Sequence, residues 1–173
     1  MRKSIHTLTL LFLFGQITVN AQEGRCPKLP ASYLWETEKD YKKDEDLVKK
    51  TLRWLCATPY SVDVEQRSLA NVFVLEWIAG SPDILVEVKT DYLPFYLDHP
   101  DLLYTFIHAV ALFKIEKPGI KDEPTLYKEG FNVIAELAVQ SKELSHSHAL
   151  RPLLKAHKKS KMKEYVKSIQ QKK

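Results

Sequence analysis

The sequence predicts an all-α protein, a single-domain bundle of about five helices in stacked helical hairpins, with one extended segment near 84–88. Three observations point there. Apolar residues recur at three- and four-residue spacing through successive segments, which gathers them on one face of a helix. Proline and glycine, at Pro59, Gly80-Ser81-Pro82 and Lys117-Pro118-Gly119, cut those segments into helix-sized lengths. A composition of 45% apolar and 28% charged residues suits a folded chain rather than a disordered one. No longer period recurs, which argues against a solenoid.

Residues 1–21 read as a secretory signal peptide. Arg2 and Lys3 supply the positive start, Leu8–Phe14 opens an apolar run reaching Val19, and Val19 and Ala21 sit where a signal peptidase accepts small side chains. Cleavage is expected between Ala21 and Gln22. The apolar run is shorter than the ~20 residues that span a bilayer, and Gln16 breaks it. A retained membrane anchor is the competing reading. The remaining 152 residues are enough for one domain with its own core. The next longest apolar run, Leu102–Ile115, fits a buried helix better than a membrane span.

Residues 22–37 form a connector whose Leu29, Tyr33, Leu34 and Trp35 are expected to lie over the domain, and 38–157 form the helical domain. A first helix fits 38–57, with Leu47, Val48, Thr51, Leu52, Leu55 and Cys56 on one face and Thr37 and Asp40 as a capping pair. A second begins after Asp63, with Gln66 closing a capping box and Gly80 in a left-handed terminal position. Its apolar residues surround the axis, so a central, nearly enclosed helix is expected. Ile84, Val86 and Val88 then alternate with Glu87 and Lys89, which favours an extended segment over a short helix begun by Ser81-Pro82.

A third helix starts near 100 with Asp98 or His99 as its cap. A fourth runs from about 123 to 143 behind Asp122. The fifth begins with Leu150, Leu153 and Leu154. The later stripe of Met162, Tyr165, Val166 and Ile169 is rotated from it, so 158–173 is either a continuation kinked near His157–Lys161 or a separate helix.

Charge divides the chain unevenly. The formal net charge is +4, but Arg151–Lys173 carries nine Lys/Arg against Glu164 alone, whereas 22–150 holds 15 basic and 21 acidic residues. A solvated polar helix face with a frayed end is the plainer reading, and a surface for an anionic partner (lipopolysaccharide, acidic lipid, an acidic protein or the domain's own acidic face) is the other. Nucleic acid is disfavoured, since no recognition motif or basic-aromatic interleaving is present. Cys26 and Cys56 are the two cysteines, and export would favour a disulfide between them, with two separate thiols as the alternative. Glu23-Gly24-Arg25 before Cys26 lacks the small, apolar character of a lipoprotein signal.

No motif names a reaction. The five glycines leave no phosphate-cradling loop, and there is no His-Glu-x-x-His, Cys-x-x-Cys or Gly-x-Ser-x-Gly. No cofactor is implied. Four weaker constellations remain. His146, His148 and His157 offer imidazoles to a metal, but no carboxylate or thiolate joins them at ligand spacing. His108 lies among apolar neighbours, where a structural histidine is a plainer reading than a general base. Tyr92, Phe95 and Tyr96, around Pro94, are candidate binding residues, although the same loop suits packing onto the third helix. The apolar stripe of 158–173, opposite its lysines, suits docking on the bundle or an anionic membrane surface.

Two stretches carry a resemblance. Asn20-Ala21-Gln22 resembles the signal-peptide junction of exported Bacteroidota proteins. Trp54-Leu55-Cys56, Phe73-Val74-Leu75-Glu76-Trp77 and Gly80-Ser81-Pro82-Asp83 are similar to small secreted proteins of that phylum. The resemblance implies a helical protein outside the cytoplasm and brings no activity or functional residue. The expected function is therefore a non-enzymatic module that binds a protein or an envelope component. A small hydrolase or metal-binding protein using histidine, and a peripheral membrane-surface protein using the basic end, are the alternatives.

Overall fold

The computed structural model describes residues 24–171, and within them the protein is an all-α bundle with no strand. Seven α-helices follow in order: α1 Glu38–Ala57, α2 Val64–Gly80, α3 Leu102–Glu116, α4 Glu123–Val139, α5 Lys142–Ser145, α6 Arg151–Lys158 and α7 Met162–Gln170. The expected signal peptide and its cleavage point lie outside the described residues. None of the described helices is long and apolar enough to cross a membrane.

The hairpin of α3 and α4 is the spine of the bundle. Gly130 on α4 lets the two approach, because a Cβ there would stand 2.4 Å from the Phe106 ring of α3. On one side α1 packs against α3 and carries α2. On the other, α5, α6 and α7 pack against α4. The apolar residues accordingly form two clusters. One holds Leu52, Leu55, Phe73, Val74 and Trp77 between α1 and α2, and the other holds Phe106, Phe131, Ile134, Leu153 and Val166.

The connector closes over the first cluster. Tyr33 stacks on Trp35 with ring centroids 4.5 Å apart and meets Phe73 edge-on at 5.1 Å. The Trp35 indole N–H donates to Asp44 at 2.9 Å. At the start of α1, the Asp40 carboxylate accepts from both the backbone N–H and the hydroxyl of Thr37, each at 2.8 Å. These bonds, the hydroxyl foremost, hold the Asp40 carboxyl below its ordinary pKa.

The second helix departs from expectation at both ends and along its face. Asp63 takes a left-handed backbone, φ 52°, and makes no capping bond, so the anticipated box with Gln66 does not form. Gly80 remains helical. What it provides is room, since a Cβ there would stand 2.0 Å from the Tyr41 hydroxyl. The left-handed glycine is Gly119, φ 92°, in the α3–α4 turn. Nor is α2 enclosed. It leans on α1 at the edge of the bundle and leaves Leu69 and Val72 about half exposed, because α3 occupies the centre.

Residues 84–89 are extended but unpaired, neither strand nor helix. Their alternation is used against the helices instead of in a sheet: Ile84 is buried, Leu85 exposed, Val86 half-buried and Glu87 exposed. Ile84 belongs to the first cluster and Val86 touches both, so this strap ties the halves together. The Tyr127 hydroxyl accepts from the Lys89 backbone N–H at 2.8 Å, one of the polar groups a lone extended segment must place. Turns through 95–101 delay α3 to Leu102, with Asp101 and not Asp98 or His99 at its cap position. The fourth helix stops at Val139 because the Ser141 hydroxyl caps a new turn, accepting from the Leu144 N–H at 3.3 Å. Beyond α6, Ser160 has φ 54°, which separates α6 and α7 into two helices.

Candidate functional site

Most of the residues singled out from the sequence are occupied in packing. Phe95 is fully enclosed against Phe131, so it offers no surface to a partner. Tyr92 meets Tyr127 edge-on at 5.6 Å, and Tyr96 packs half-buried on the same cluster. The aromatic loop is thus chiefly core. The stripe of α7 is likewise used: Met162 and Val166 are buried, and Tyr165 packs on Phe131. A membrane surface could reach that stripe only after α7 undocks. His146, His148 and His157 form no three-donor group, and none occurs among the described residues.

A polar knot lies near the C-terminal end of α1. Arg67, on α2, is buried and reaches back to carbonyl oxygens at the end of α1 and in the turn after it, donating to Leu55 O and Pro59 O at 3.3 Å and also to Thr58 O. Its guanidinium lies 5.4 Å from the Trp54 ring and 5.3 Å from the Tyr60 ring. Carbonyl oxygens, the negative end of a helix dipole and two π faces replace the carboxylate a buried cation usually takes. The Tyr60 hydroxyl shares a 2.8 Å hydrogen bond with Thr105. Burial pushes the Tyr60 pKa up to about 12.

His108 is buried close enough to Arg67 to feel its charge, and its Nε2 has no partner. Burial first, and Arg67 second, lower its pKa to about 3. It is a neutral core side chain, without the solvent access a general base needs. Both cysteines are thiols here, so the expected bridge is not formed in this structure. Cys56 is pushed up to about 12 by burial, and Cys26 is raised by burial and Asp63 against the opposing pull of Arg67. Neither is poised as a thiolate nucleophile.

Among the described residues, two concavities bear on a site. The first, about 390 Å³, lies between the 83–89 strap, α3 and α4, over Phe106 and Tyr127. Its rim mixes Asp83, Glu87 and Glu123 with Lys114 and Lys121, and the Lys89–Glu123 ion pair ties strap to helix beside it. Such a rim largely cancels its own field.

The second, about 480 Å³, is a shallow recess where the turn after α5 meets α6. Its polar lining is Ser145, His146, Ser147, Arg151, Lys155 and Lys158, with Leu154 as the apolar wall. Every charged side chain lining it is a cation. Arg151, Lys155 and Lys158 follow i, i+4, i+7 spacing, which puts them on one side of α6. None has an ion-pair partner among the described residues. The opposite wall is held in place. His99 Nε2 and the Ser147 hydroxyl are 2.7 Å apart, and His146 Nδ1–H donates to the Lys142 carbonyl at 2.8 Å. That bond fixes the neutral imidazole as the Nδ1–H tautomer and frees Nε2 for another partner.

Sequence reasoning found the basic end but not the recess. The signal was the spacing of Arg151, Lys155 and Lys158, and what was missing was the turn at 145–148 that faces them. Arg67 was also missed, because Glu65-Gln66-Arg67-Ser68 reads as an ordinary polar first turn of a helix. Comparison with protein-family models, curated proteins and solved structures finds no match to this chain.

Proposed function

We propose that the protein is an exported, non-enzymatic binding module whose ligand is an anionic component of the cell envelope, engaged through the basic face of α6 and the turn before it. The observation that carries this reading is the recess at 145–158, lined by three unpaired cations and no acid. The surrounding field supports it: Arg151–Lys173 holds nine basic residues and one acid. Because the apolar stripe of α7 is packed on the bundle, the reading rests on charge and hydrogen bonding rather than on insertion into a bilayer. Unpaired surface cations that attract an anion lose that attraction as salt rises, since the screening length falls to about 8 Å at physiological ionic strength. The expected outcome is retention on immobilised lipopolysaccharide or anionic-lipid vesicles at low salt and release as salt rises. Equal retention on neutral vesicles, or no salt dependence, contradicts it.

Export is supported by the pattern of residues 1–21 and by the junction at Asn20-Ala21-Gln22. In an oxidising compartment Cys26 and Cys56 would close a loop of about 31 residues, contributing about 3–4 kcal/mol in the chain-entropy account. Both thiols lie within the influence of one guanidinium, Arg67. Protein recovered from the exported fraction is expected to lose several degrees in Tm on adding reductant. An unchanged Tm counts against the bridge and leaves the binding reading intact.

A further inference from the structure

We infer that the recess between the 145–148 turn and α6 is a binding site for a phosphate monoester, with Arg151, Lys155 and Lys158 supplying charge and Ser147 of the turn supplying a hydroxyl donor. The inference rests on the proposed anion-binding role and narrows it to one ligand group at one place. Three cations with no counter-charge gather around about 480 Å³ of space, room for a phosphoryl group and the sugar-sized body that carries it. A carboxylate brings one negative charge. A phosphate monoester brings nearly two on three oxygens, which matches three cations lining one recess better. The arginine fork pairs two oxygens at once, and the two lysines act as point charges on the third.

The turn adds selectivity. Where His99 Nε2–H donates to the Ser147 oxygen at 2.7 Å, the Ser147 O–H is free for a phosphate oxygen, whereas the Ser145 O–H is already committed to the Lys142 carbonyl at 3.1 Å. His146 has its Nδ1–H committed to the Lys142 carbonyl and in that tautomer gives the ligand no donor. Leu154 gives the carrier of the phosphate an apolar wall. The other concavity has no comparable feature, since carboxylates share its rim with the lysines.

Two sources share this chemistry, a free phosphorylated small molecule and a lipid with a monoester headgroup. The test uses the full-length protein, titrated calorimetrically with glucose 6-phosphate and with glucose 6-sulfate, which carries less charge. Vesicles containing phosphatidic acid (a monoester) are compared with vesicles containing phosphatidylglycerol (a diester). The variants are Arg151→Gln with Lys155→Gln in the recess, and Lys163→Gln with Lys167→Gln on the exposed side of α7 as a charge-matched control. All four positions are exposed, so both variants should fold, and circular dichroism with Tm checks that they do. The inference expects saturable binding of the phosphate over the sulfate, weakened at least tenfold by the recess pair and less than twofold by the control pair. Preference for phosphatidic acid, displaced by glucose 6-phosphate, assigns the ligand to a lipid. Binding of the sugar phosphate without vesicle preference assigns it to a free molecule. Equal weakening by both variant pairs overturns the site while leaving general anion binding standing, and absence of saturable binding to any phosphate monoester probe overturns it outright.

Discussion

Arg67 and His108 show how single residues at the centre of this fold have been given environments that suppress chemistry. The arginine's two terminal nitrogens donate to backbone oxygens at the end of α1 and the turn after it, so it joins α2 to α1 at the turn between them. Hydrogen bonds to charged groups contribute about 1.5–3 kcal/mol each, so this side chain matters more than a surface cation. His108 has the opposite relation to charge. Its pKa is lowered from 6.5 to about 3, so the folded protein keeps it neutral where the unfolded chain would protonate it. Below pH 6.5 the unfolded state therefore binds more protons. Stability falls with pH, by up to about 1.4 kcal/mol per unit from this group, until the folded-state pKa is reached. Chemical denaturation between pH 7 and pH 4 should show a steeper loss for the wild type than for His108→Leu. Parallel slopes would mean that His108 does not carry the dependence.

At the scale of elements, helix lengths and faces were largely legible, whereas contacts made by the absence of a side chain were not. The first helix follows from Thr37, Asp40 and the Leu47–Leu55 face because all these signals are local. The Asp63 cap failed because, after the Pro59–Val62 turn, that residue is left-handed and its side chain makes no capping bond. Gly80 reads in sequence as a left-handed helix end and Gly130 carries no reading there, and both turn out to be approach points for aromatic rings. They differ in what must give way. At Gly130 the obstacle is Phe106, fully buried, whereas at Gly80 it is the hydroxyl end of half-buried Tyr41. Gly130→Ala is thus expected to cost about 1–3 kcal/mol through overpacking, and Gly80→Ala less. Urea denaturation of the two variants decides it, and an equal or reversed order would contradict the packing described for α3 and α4.

Across the whole molecule the chain separates a mixed-charge, aromatic-rich half from a basic end built on short helices. The strap at 84–89 and the α3–α4 hairpin join the two, and their alternating and helical periods were both visible in sequence. The site was visible only as composition. Nine basic residues mark a region, but only folding places the 145–148 turn opposite Arg151, Lys155 and Lys158 and makes that region concave. Conversely, the aromatic loop suited either a binding lip or packing onto the third helix in sequence, and tertiary packing took it inward. A sequence pattern reports which residues are apolar, not which neighbour will cover them.

The measurement that tests the central claim most directly is an amide chemical-shift titration of the isotope-labelled protein with an anionic envelope ligand at low salt. The shifts are expected to concentrate at Ser145, Ser147, Arg151, Lys155 and Lys158 and to fade as salt is added. Shifts centred on the strap at 83–89 or on α2, with 145–158 unmoved, would contradict the claim that the basic recess is where this protein binds.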